Sequence, residues 1–381
     1  MKQLLLKFTC CIISINLLSS CSENSSNSPA NIDMPEIPAQ TGDNWQVSSL
    51  DEQGINTGMI AELSAWIEQG EFGEIHSMQV ARHGYLVFDE YYRSDHNTEF
   101  VHPLASVTKS VASVLIGIAI RLGYIESIDQ SIDNFFPDHQ HIFESDPQKR
   151  DLTLYHLLTM SAGFEWSDGN GSVADSDEYI VHFTAEDVVE YSLSKPIIFE
   201  PGSQFDYNGA CSILLSAIIE NVSGINTDEF AETYLFTPLG IDDYYFQQMH
   251  DGHTDLIGGL ALKARDLLKI GQLFLNNGNW NGEQIISAEW IEESVEARLS
   301  SGSGQHYGYQ WWLRSGQQSS FQSPSPNDII FASGFGGEKL YIIPALDLTV
   351  VFTGNCINYV VEDNLAPLAL ELYIIPAIGG N

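Results

Sequence analysis

The stretch that decides the fold is LASVTKSVASVLIGIAIRLG, from Leu104 to Gly123. Pro103 precedes it and Gly123 ends it, and these are start and stop signals of a helix, so we expect Ser106 in the first turn. From Val111 to Ile120 every position is apolar or small. A helix tolerates this only when other elements pack against all of its faces. The sequence therefore predicts a central, buried helix.

The first turn of this helix carries a candidate nucleophile. Ser106 and Lys109 are three residues apart and so share one face, where the ammonium group reaches the hydroxyl. A lysine in apolar surroundings loses its proton readily and can act as the base that a serine needs at neutral pH. Free N–H groups at a helix start favour an oxyanion there. The pattern alone is also compatible with a serine cap and a surface lysine.

The wider run Ser106-Val107-Thr108-Lys109-Ser110 resembles the nucleophile motif of the serine β-lactamase and penicillin-binding-protein superfamily. The surrounding sequence is similar to the branch of esterases and 6-aminohexanoate-dimer hydrolases, which shares the fold of class C β-lactamases. The resemblance extends from about Ile55 to Ile378. It implies an α+β, β-lactamase/transpeptidase-like fold, with an antiparallel sheet flanked by helices and a mostly helical subdomain.

The start of the chain predicts a lipoprotein. Residues 1–20 contain two lysines and then an apolar run too short to span a bilayer, so we expect a signal peptide. The small residues before Cys21 resemble a bacterial lipobox, which implies lipidation of Cys21; an ordinary signal cleaved nearby is the alternative. Residues 21–45, rich in Ser and Asn, predict a flexible tether. The expected location is the bacterial cell envelope, lipid-anchored to the membrane, at the periplasmic face of the outer membrane.

Residues 46–381 are expected to form one hydrolase domain, with an α/β part at 46–125 and 242–381 and a helical insert at 126–241. A hydrophobic fraction of 44% suffices for a buried core. The chain has 15 Lys and Arg against 51 Asp and Glu, a formal net charge of -36. Because such a surface repels polyanions, nucleic acid is excluded as a partner.

Local patterns predict further elements of this domain. Helical spacing predicts a first helix at Thr57–Gln69, an amphipathic helix at Ala264–Leu275 and a final helix at Leu365–Ile374. Runs rich in β-formers predict a hairpin of Ile75–Arg82 with Tyr85–Tyr92, and an aromatic core strand at residues 307–312. A loop rich in Gly, Ser and Asp, Gly169–Glu178, is expected over the pocket.

Tyr207 is the second candidate for chemistry. It lies between a Pro-Gly turn at residues 201–202 and a helix predicted from Cys211 to Asn221, an arrangement that projects a side chain from a tight turn. In the resemblance, Tyr207 matches the tyrosine whose phenol exchanges protons with the lysine and the nucleophile. A structural tyrosine at the edge of the core is the alternative. Class C β-lactamases carry Tyr-x-Asn here, whereas this chain has Gly209 in place of the asparagine.

The third landmark is the glycine-rich segment that begins at Phe331. Its glycines let a strand edge approach a ligand closely and present N–H groups to it. The segment resembles the Lys-Thr-Gly strand of the family. This match implies that Ser333 and Gly334 line the substrate site and that the N–H of Phe335 joins that of Ser106 in an oxyanion hole. Ala332 stands where β-lactamases keep the cation that binds the drug's carboxylate.

Other reactive side chains are given no chemistry. Cys211 and Cys356 could pair in an oxidising periplasm, or could be buried small apolar residues. His139 and His141 have no third ligand at a helical or hairpin spacing, so neither a metal nor an organic cofactor is expected. His156 matches a structural histidine of the family.

Together these residues predict a serine hydrolase that cleaves a small-molecule ester or amide through an acyl-enzyme on Ser106, with Lys109 and Tyr207 moving protons. Because Ala332 and Gly209 remove two groups that β-lactam recognition uses, esters and short amides are expected ahead of β-lactams. One alternative is β-lactamase or D-amino-acid peptidase activity on cell-wall-related substrates. Another is a catalytically inactive, membrane-tethered binding protein of the same fold.

Overall fold

The computed structural model describes residues 35–167, 176–302, 304–314, 328–354 and 365–379. The predicted signal peptide, Cys21, Cys356 and most of the loop expected at 169–178 lie outside these ranges. Within the ranges, no single helix has the length and apolar character needed to cross a membrane. The helical segments 209–223 and 227–239 reach that length and character only as a pair, with a bend of 75° between them.

The described residues form one large sheet and two small ones. The large sheet has nine strands in the order β1-β3-β2-β14-β13-β12-β11-β10-β9. Its neighbours are antiparallel, except that β1 runs parallel to β3. The strands are β1 (Gln46–Val47), β2 (Ile75–Arg82), β3 (Tyr85–Tyr91), β4 (Val101–Pro103), β5 (Tyr244–Phe246), β6 (Leu260–Lys263), β7 (Asn279–Trp280), β8 (Glu283–Gln284), β9 (Leu299–Ser300), β10 (His306–Tyr307), β11 (Trp312–Arg314), β12 (Ile329–Gly334), β13 (Glu338–Ile343) and β14 (Leu348–Gly354).

Helices cover both faces of the large sheet. The helices are α1 (Thr57–Glu68), α2 (Val107–Arg121), α3 (Gln140–Ser145), α4 (Leu154–Leu158), α5 (Asp177–Phe183), α6 (Val188–Ser194), α7 (Gly209–Ser223), α8 (Thr227–Ala231), α9 (Thr237–Leu239), α10 (Ala264–Leu275), α11 (Ala288–Ser294), α12 (Ala366–Ala369) and α13 (Ile375–Gly379). One core cluster joins the sheet to α2, α7 and α10, and the other joins its opposite face to α1 and the C-terminal helices. The predicted hairpin is confirmed as β2 and β3, and the predicted first and amphipathic helices as α1 and α10.

The central helix α2 is buried as predicted. Every residue from Val107 to Ala119 is buried. A methyl group added at Gly117 would lie 2.3 Å from Cδ1 of Trp290, so this glycine lets α11 pack closely on α2. The Trp290 indole N–H in turn donates a hydrogen bond to the Ser113 carbonyl, at 3.1 Å. The helix begins one residue later than expected, with Ser106 as its N-cap rather than in its first turn.

Arg265 at the start of α10 fixes the N-terminal segment to the domain. Its buried guanidinium contacts both carboxylate oxygens of Asp43, at 2.6 and 3.0 Å, and one of Asp89, at 3.1 Å. It also donates to the Ala39 carbonyl at 3.1 Å, while the buried Trp45 indole donates to the Arg265 carbonyl. A bidentate pair of this kind holds geometry as well as charge. The tether predicted to extend to residue 45 is therefore too long, because packed structure begins near residue 39.

Two other predicted elements differ from the structure. The aromatic run at 307–312 is not one strand but the end of β10 and the start of β11, because Gln310 between them has a left-handed φ of 62°. The Gln310 amide donates to the carbonyls of Leu157 and Leu158, so the turn is held from outside the sheet. The final helix consists of α12, a π-helical stretch at Leu370–Ile374 and α13, and it continues past its predicted end.

Candidate active site

Lys109 and Ser106 meet at the start of α2, as their spacing predicts. The Lys109 Nζ lies 3.2 Å from the Ser106 Oγ and 2.6 Å from the carbonyl oxygen of Ile257. Lys109 is only 2% exposed. The amino group is therefore held beside the hydroxyl, where proton transfer between the two is geometrically possible.

The Ile257 carbonyl is positioned by an ion pair that the sequence did not reveal. One Asp255 carboxylate oxygen accepts hydrogen bonds from the N–H groups of Ile257, at 2.7 Å, and Gly258, at 3.2 Å. The other lies 3.0 Å from the Nε2 of His182. Burial lowers the pKa of His182, but the hydrogen bond and charge of Asp255 outweigh it, so the pKa is raised overall. The Ile257 carbonyl, which accepts from Lys109, is thus positioned by the contact of Asp255 with His182, two residues that are 73 positions apart.

The backbone immediately before Ser106 adopts a conformation that non-glycine residues rarely take. Ala105 has a φ of 46°. The Thr108 hydroxyl donates to the Ala105 carbonyl at 2.7 Å and accepts from the Leu260 N–H at 3.2 Å. The Leu104 N–H also donates to the Leu260 carbonyl, at 2.8 Å. Such strain persists only where the surroundings fix it, and here β6 and Thr108 hold the turn that presents Ser106.

Gly334 brings the end of β12 against this same turn. A methyl group added at Gly334 would lie 2.3 Å from the Leu104 carbonyl oxygen and 3.3 Å from the Ala105 Cβ. The sequence predicted a close approach of Gly334 to a ligand; in the structure Gly334 closely approaches the protein's own backbone at Leu104. Phe335 follows Gly334 just as Ser106 follows Ala105, so the two N–H groups assigned to the oxyanion hole belong to adjoining segments.

Tyr207 lies over the lysine. The Lys109 Nζ is 4.9 Å from the centre of its ring, and the ring is stacked on Trp312 with centres 5.8 Å apart. With 39% of its surface exposed, Tyr207 can meet a bound molecule. The following residue, Asn208, caps α7 by accepting from the Ala210 N–H and donates to the Phe164 carbonyl at 2.8 Å. The turn that carries the phenol is therefore held firmly, as its sequence predicts.

Trp166 fills the space beside Gly209. A methyl group added at Gly209 would lie 3.0 Å from the indole ring, so an asparagine there would overlap it. The indole packs against Tyr191 and Lys195, and both of these side chains hydrogen-bond to Asp177. Burial raises the pKa of Asp177, but hydrogen bonds from Lys195 and Tyr191 bring it below its usual value. An indole therefore lies beside position 209, where the resemblance to class C β-lactamases places an asparagine.

Ser333 has a cationic neighbour from the next strand. The Lys339 Nζ donates to the Ser333 Oγ at 2.6 Å, and both line a cavity of about 210 Å³. Trp312, which stacks on Tyr207, forms part of the same cavity. Ala332 is fully buried in the cluster around α2. Sequence reasoning missed this pair, because Lys339 meets Ser333 only through the register of the two strands.

His156 and Cys211 have structural surroundings. The Nδ1 of His156 accepts the Thr153 N–H at 3.0 Å, which closes the start of α4. Burial lowers the pKa of this histidine. Burial also raises the pKa of the Cys211 thiol to about 12, as expected for a small apolar core residue. The pairing considered with Cys356 lies outside the described residues.

The helix-covered antiparallel sheet, with Ser-x-x-Lys at the start of a buried helix, defines a protein of the β-lactamase/transpeptidase-like class, which confirms the predicted fold. The family described as Beta-lactamase matches residues 65–371. The chain belongs to this family, and in general terms it is a serine hydrolase of the β-lactamase superfamily.

Relatives and solved structures agree with this assignment. The chain is 25% identical over 287 residues to 6-aminohexanoate-dimer hydrolase of Paenarthrobacter ureafaciens, covering 70% of this chain and 69% of the relative. A putative beta-lactamase from Bacteroides dorei has a TM-score of 0.68 at 19% identity, covering 84% of this chain and 98% of that one. EstCE1, a hydrolase with promiscuous acyltransferase activity, has a TM-score of 0.64 at 17% identity, covering 90% and 100%. These two structures show the shared fold.

We predict that the pair of His182 and Asp255 stabilises the fold most at low pH. Because the pKa of His182 is raised by folding, its stabilisation is complete below the unfolded value of about 6.5 and is lost as the pH rises through the folded value. Urea unfolding of the parent and His182→Gln, from about pH 5.5 to about pH 9, measures the difference in free energy of unfolding. The exposed His141→Gln is the control. A difference that stays constant over this range would contradict the account.

A second prediction concerns the contact of Gly209 with Trp166. Gly209→Asn should lower the free energy of unfolding by about 1–3 kcal/mol through overpacking. Combining it with Trp166→Ala should cost less than the sum of the two single changes, because the small residue removes the overlap. Gly224→Asn, at the open C-cap of the same helix, is the matched control. Strictly additive costs in the double-mutant cycle would show that the indole does not exclude the asparagine.

Proposed function

We propose that this protein hydrolyses a small-molecule ester or short amide through an acyl-enzyme on Ser106. The observation that carries the proposal is the buried Lys109 Nζ, 3.2 Å from the Ser106 Oγ and beneath the ring of Tyr207. A nucleophile, a candidate base and a phenol in contact form the arrangement that nucleophilic acyl transfer needs. A binding protein without catalytic activity has no need of a lysine buried beside a serine, so this arrangement favours the enzyme.

Acylation begins when the Ser106 Oγ attacks the carbonyl carbon of the substrate. Lys109 takes up the hydroxyl proton, and Tyr207 delivers a proton to the departing alcohol or amine as the carbonyl–leaving-group bond breaks. The N–H groups of Ser106 and Phe335 donate to the oxyanion of the tetrahedral intermediate. The close contact of Gly334 with Leu104 supports this assignment, because it joins the two segments that carry these groups.

Deacylation uses the same groups in the reverse sense. Water attacks the acyl carbon and gives a proton to Tyr207, and Lys109 returns its proton to the Ser106 Oγ as the acyl–oxygen bond breaks. The acid product and the free serine result. Lys109, Tyr207 and Ser106 each end in the protonation state in which they began, because water replaces the proton that left with the alcohol or amine, so the cycle needs only water as a second substrate.

The site favours esters and short amides over β-lactams. The Trp166 indole occupies the space of the asparagine that would hold a β-lactam amide, and Ala332 replaces the cation of the strand. Losing hydrogen-bond partners of this kind costs several orders of magnitude in discrimination. The name of a 6-aminohexanoate-dimer hydrolase among the relatives supports a short amide as one such substrate.

A second candidate is cleavage of amides whose substrate carries a carboxylate, as D-amino-acid peptides and β-lactams do. The observation that favours it is Lys339, whose Nζ lies 2.6 Å from the Ser333 Oγ in the cavity beside Trp312. A buried ammonium group beside a hydroxyl is a suitable partner for a carboxylate. In this case Lys339, paired with Ser333 across the two strands, would bind the carboxylate.

We predict that Ser106→Ala lowers kcat for a chromogenic short-chain ester at least about 10³-fold, because it removes the nucleophile. Tyr207→Phe should lower kcat about 10²–10⁴-fold, the range for loss of one proton-transfer group. Initial rates measure both, with circular dichroism to verify folding. The exposed Ser203→Ala and Tyr245→Phe are matched controls and should retain parental rates.

Full turnover by Ser106→Ala would overturn the proposal. A folded parent protein without turnover would instead support the alternative of an inactive binding protein.

The two substrate classes are separated by a second comparison. We expect kcat/KM for the short-chain ester to exceed that for a chromogenic cephalosporin at least about 100-fold. Lys339→Gln should leave the neutral ester within about twofold, because a neutral acyl group makes no ion pair with it. Lys263→Gln, at a partly buried lysine that pairs with Glu99 and Asp243, is the control. Faster turnover of the cephalosporin, lost in Lys339→Gln, would establish the second candidate instead.

A further inference from the structure

Three histidines from separate elements converge in a cluster that includes none of the residues proposed for hydrolysis. His76 lies in β2, His96 in the connection after β3, and His102 in β4. Their side chains are 8%, 9% and 6% exposed. One ring nitrogen from each lies within 4.8 Å of the other two. This His76/His96/His102 cluster has no part in the proposed acyl transfer.

The spacing of the three rings fits a tetrahedral metal ion. Zinc–nitrogen bonds of about 2.0–2.1 Å place two imidazole nitrogens about 3.3 Å apart and two ring centres about 5 Å apart. The Nδ1 of His76 and the Nε2 of His102 are 3.0 Å apart. The three pairs of ring centres are 4.7, 5.3 and 5.5 Å apart. Small movements of the rings would therefore complete the coordination.

The outer nitrogen of each ring faces an oxygen acceptor. The Nδ1 of His102 lies 3.0 Å from the Pro103 carbonyl oxygen and 3.5 Å from a Glu338 carboxylate oxygen. The Nδ1 of His96 lies 2.9 Å from Asp95. The Nε2 of His76 lies 4.0 Å from a carboxylate oxygen of Glu74. Acceptors at hydrogen-bond distance, as at His96 and His102, fix the tautomer and orientation of histidines that ligate metals and turn the remaining lone pairs inward.

We propose that His76, His96 and His102 bind Zn²⁺ or a chemically similar divalent transition-metal ion. The ligands are the Nδ1 of His76 and the Nε2 atoms of His96 and His102, and water completes the tetrahedron. Three imidazoles suit such an ion and not Ca²⁺ or Mg²⁺, which take oxygen ligands. On binding, the proton between His76 and His102 moves to the Nε2 of His76, opposite Glu74.

The position of the cluster gives the ion a structural role beside the catalytic segment. His102 lies four residues before Ser106, on the strand that leads into the nucleophile turn. Glu338 begins β13, directly after the turn that contains Phe335, and its second carboxylate oxygen accepts the Gly354 N–H at 2.8 Å. The ion would thus join β2, β4 and the connection between β3 and β4. It is independent of the proposed hydrolysis.

Isothermal titration of the chelator-treated full-length chain with Zn²⁺ tests the site. We expect one ion per chain, an affinity at least about 100-fold lower in His96→Ala, and a loss of about 10-fold in Asp95→Asn, which removes an outer acceptor. His139→Ala is the matched control, because His139, Asp187 and Glu190 form the other close group of metal-type ligands found among the described residues. Thermal unfolding should show that Zn²⁺ raises the Tm of the parent and not of His96→Ala.

Since His96 lies in a connection outside the helices and strands, its replacement should leave the fold intact, and circular dichroism verifies this. Absence of binding at about 100 μM Zn²⁺ would overturn the proposal and leave the cluster as a hydrogen-bonded histidine pair packed beside a third ring. Parental affinity in His96→Ala, or affinity lost in His139→Ala instead, would overturn it as well. Co²⁺ provides a spectroscopic check, because tetrahedral nitrogen coordination gives it visible absorption that His96→Ala should abolish.

Discussion

The contact of the Gly334 backbone with the Leu104 carbonyl is the constraint on which the site depends. A methyl group at Gly334 would lie 2.3 Å from that oxygen, so any larger residue would push the end of β12 away from the nucleophile turn. The turn itself is strained at Ala105 and is held by hydrogen bonds to β6. The glycine and the strained alanine together bring the segment before Phe335 against the segment before Ser106. The proposed oxyanion hole exists only because these two backbone segments touch.

Around this contact, buried polar pairs set the positions of the reacting groups. The lysine beside Ser106 is held by a carbonyl in a turn that Asp255 and His182 fix, and Tyr207 is held by a turn that Asn208 caps. Specificity depends on what fills the remaining space. The Trp166 indole lies beside Gly209, and Lys339 in β13 contacts Ser333 in β12. On the proposed function, the indole favours esters and short amides, whereas Lys339 would favour substrates that carry a carboxylate.

Much of the fold could be predicted from local pattern, because α2, the β2–β3 hairpin and α10 each carry their own periodicity and end signals. The spacing of Ser106 and Lys109 also predicted their contact. Long-range polar contacts could not be predicted this way. Asp43 meets Arg265 across 222 positions and His182 meets Asp255 across 73, and neither leaves a local pattern. The His76/His96/His102 cluster could not be predicted for the same reason, because its ligands come from three separate elements and share no helical or hairpin spacing.

The central claim is that Ser106 is an activated nucleophile, and covalent labelling tests it most directly. The full-length chain and Ser106→Ala are treated with a fluorophosphonate ester, and the intact mass of each is measured. A serine activated by Lys109 should give the parent one adduct and the variant none. Equal labelling of both proteins, or a folded parent that gains no mass, would contradict the account.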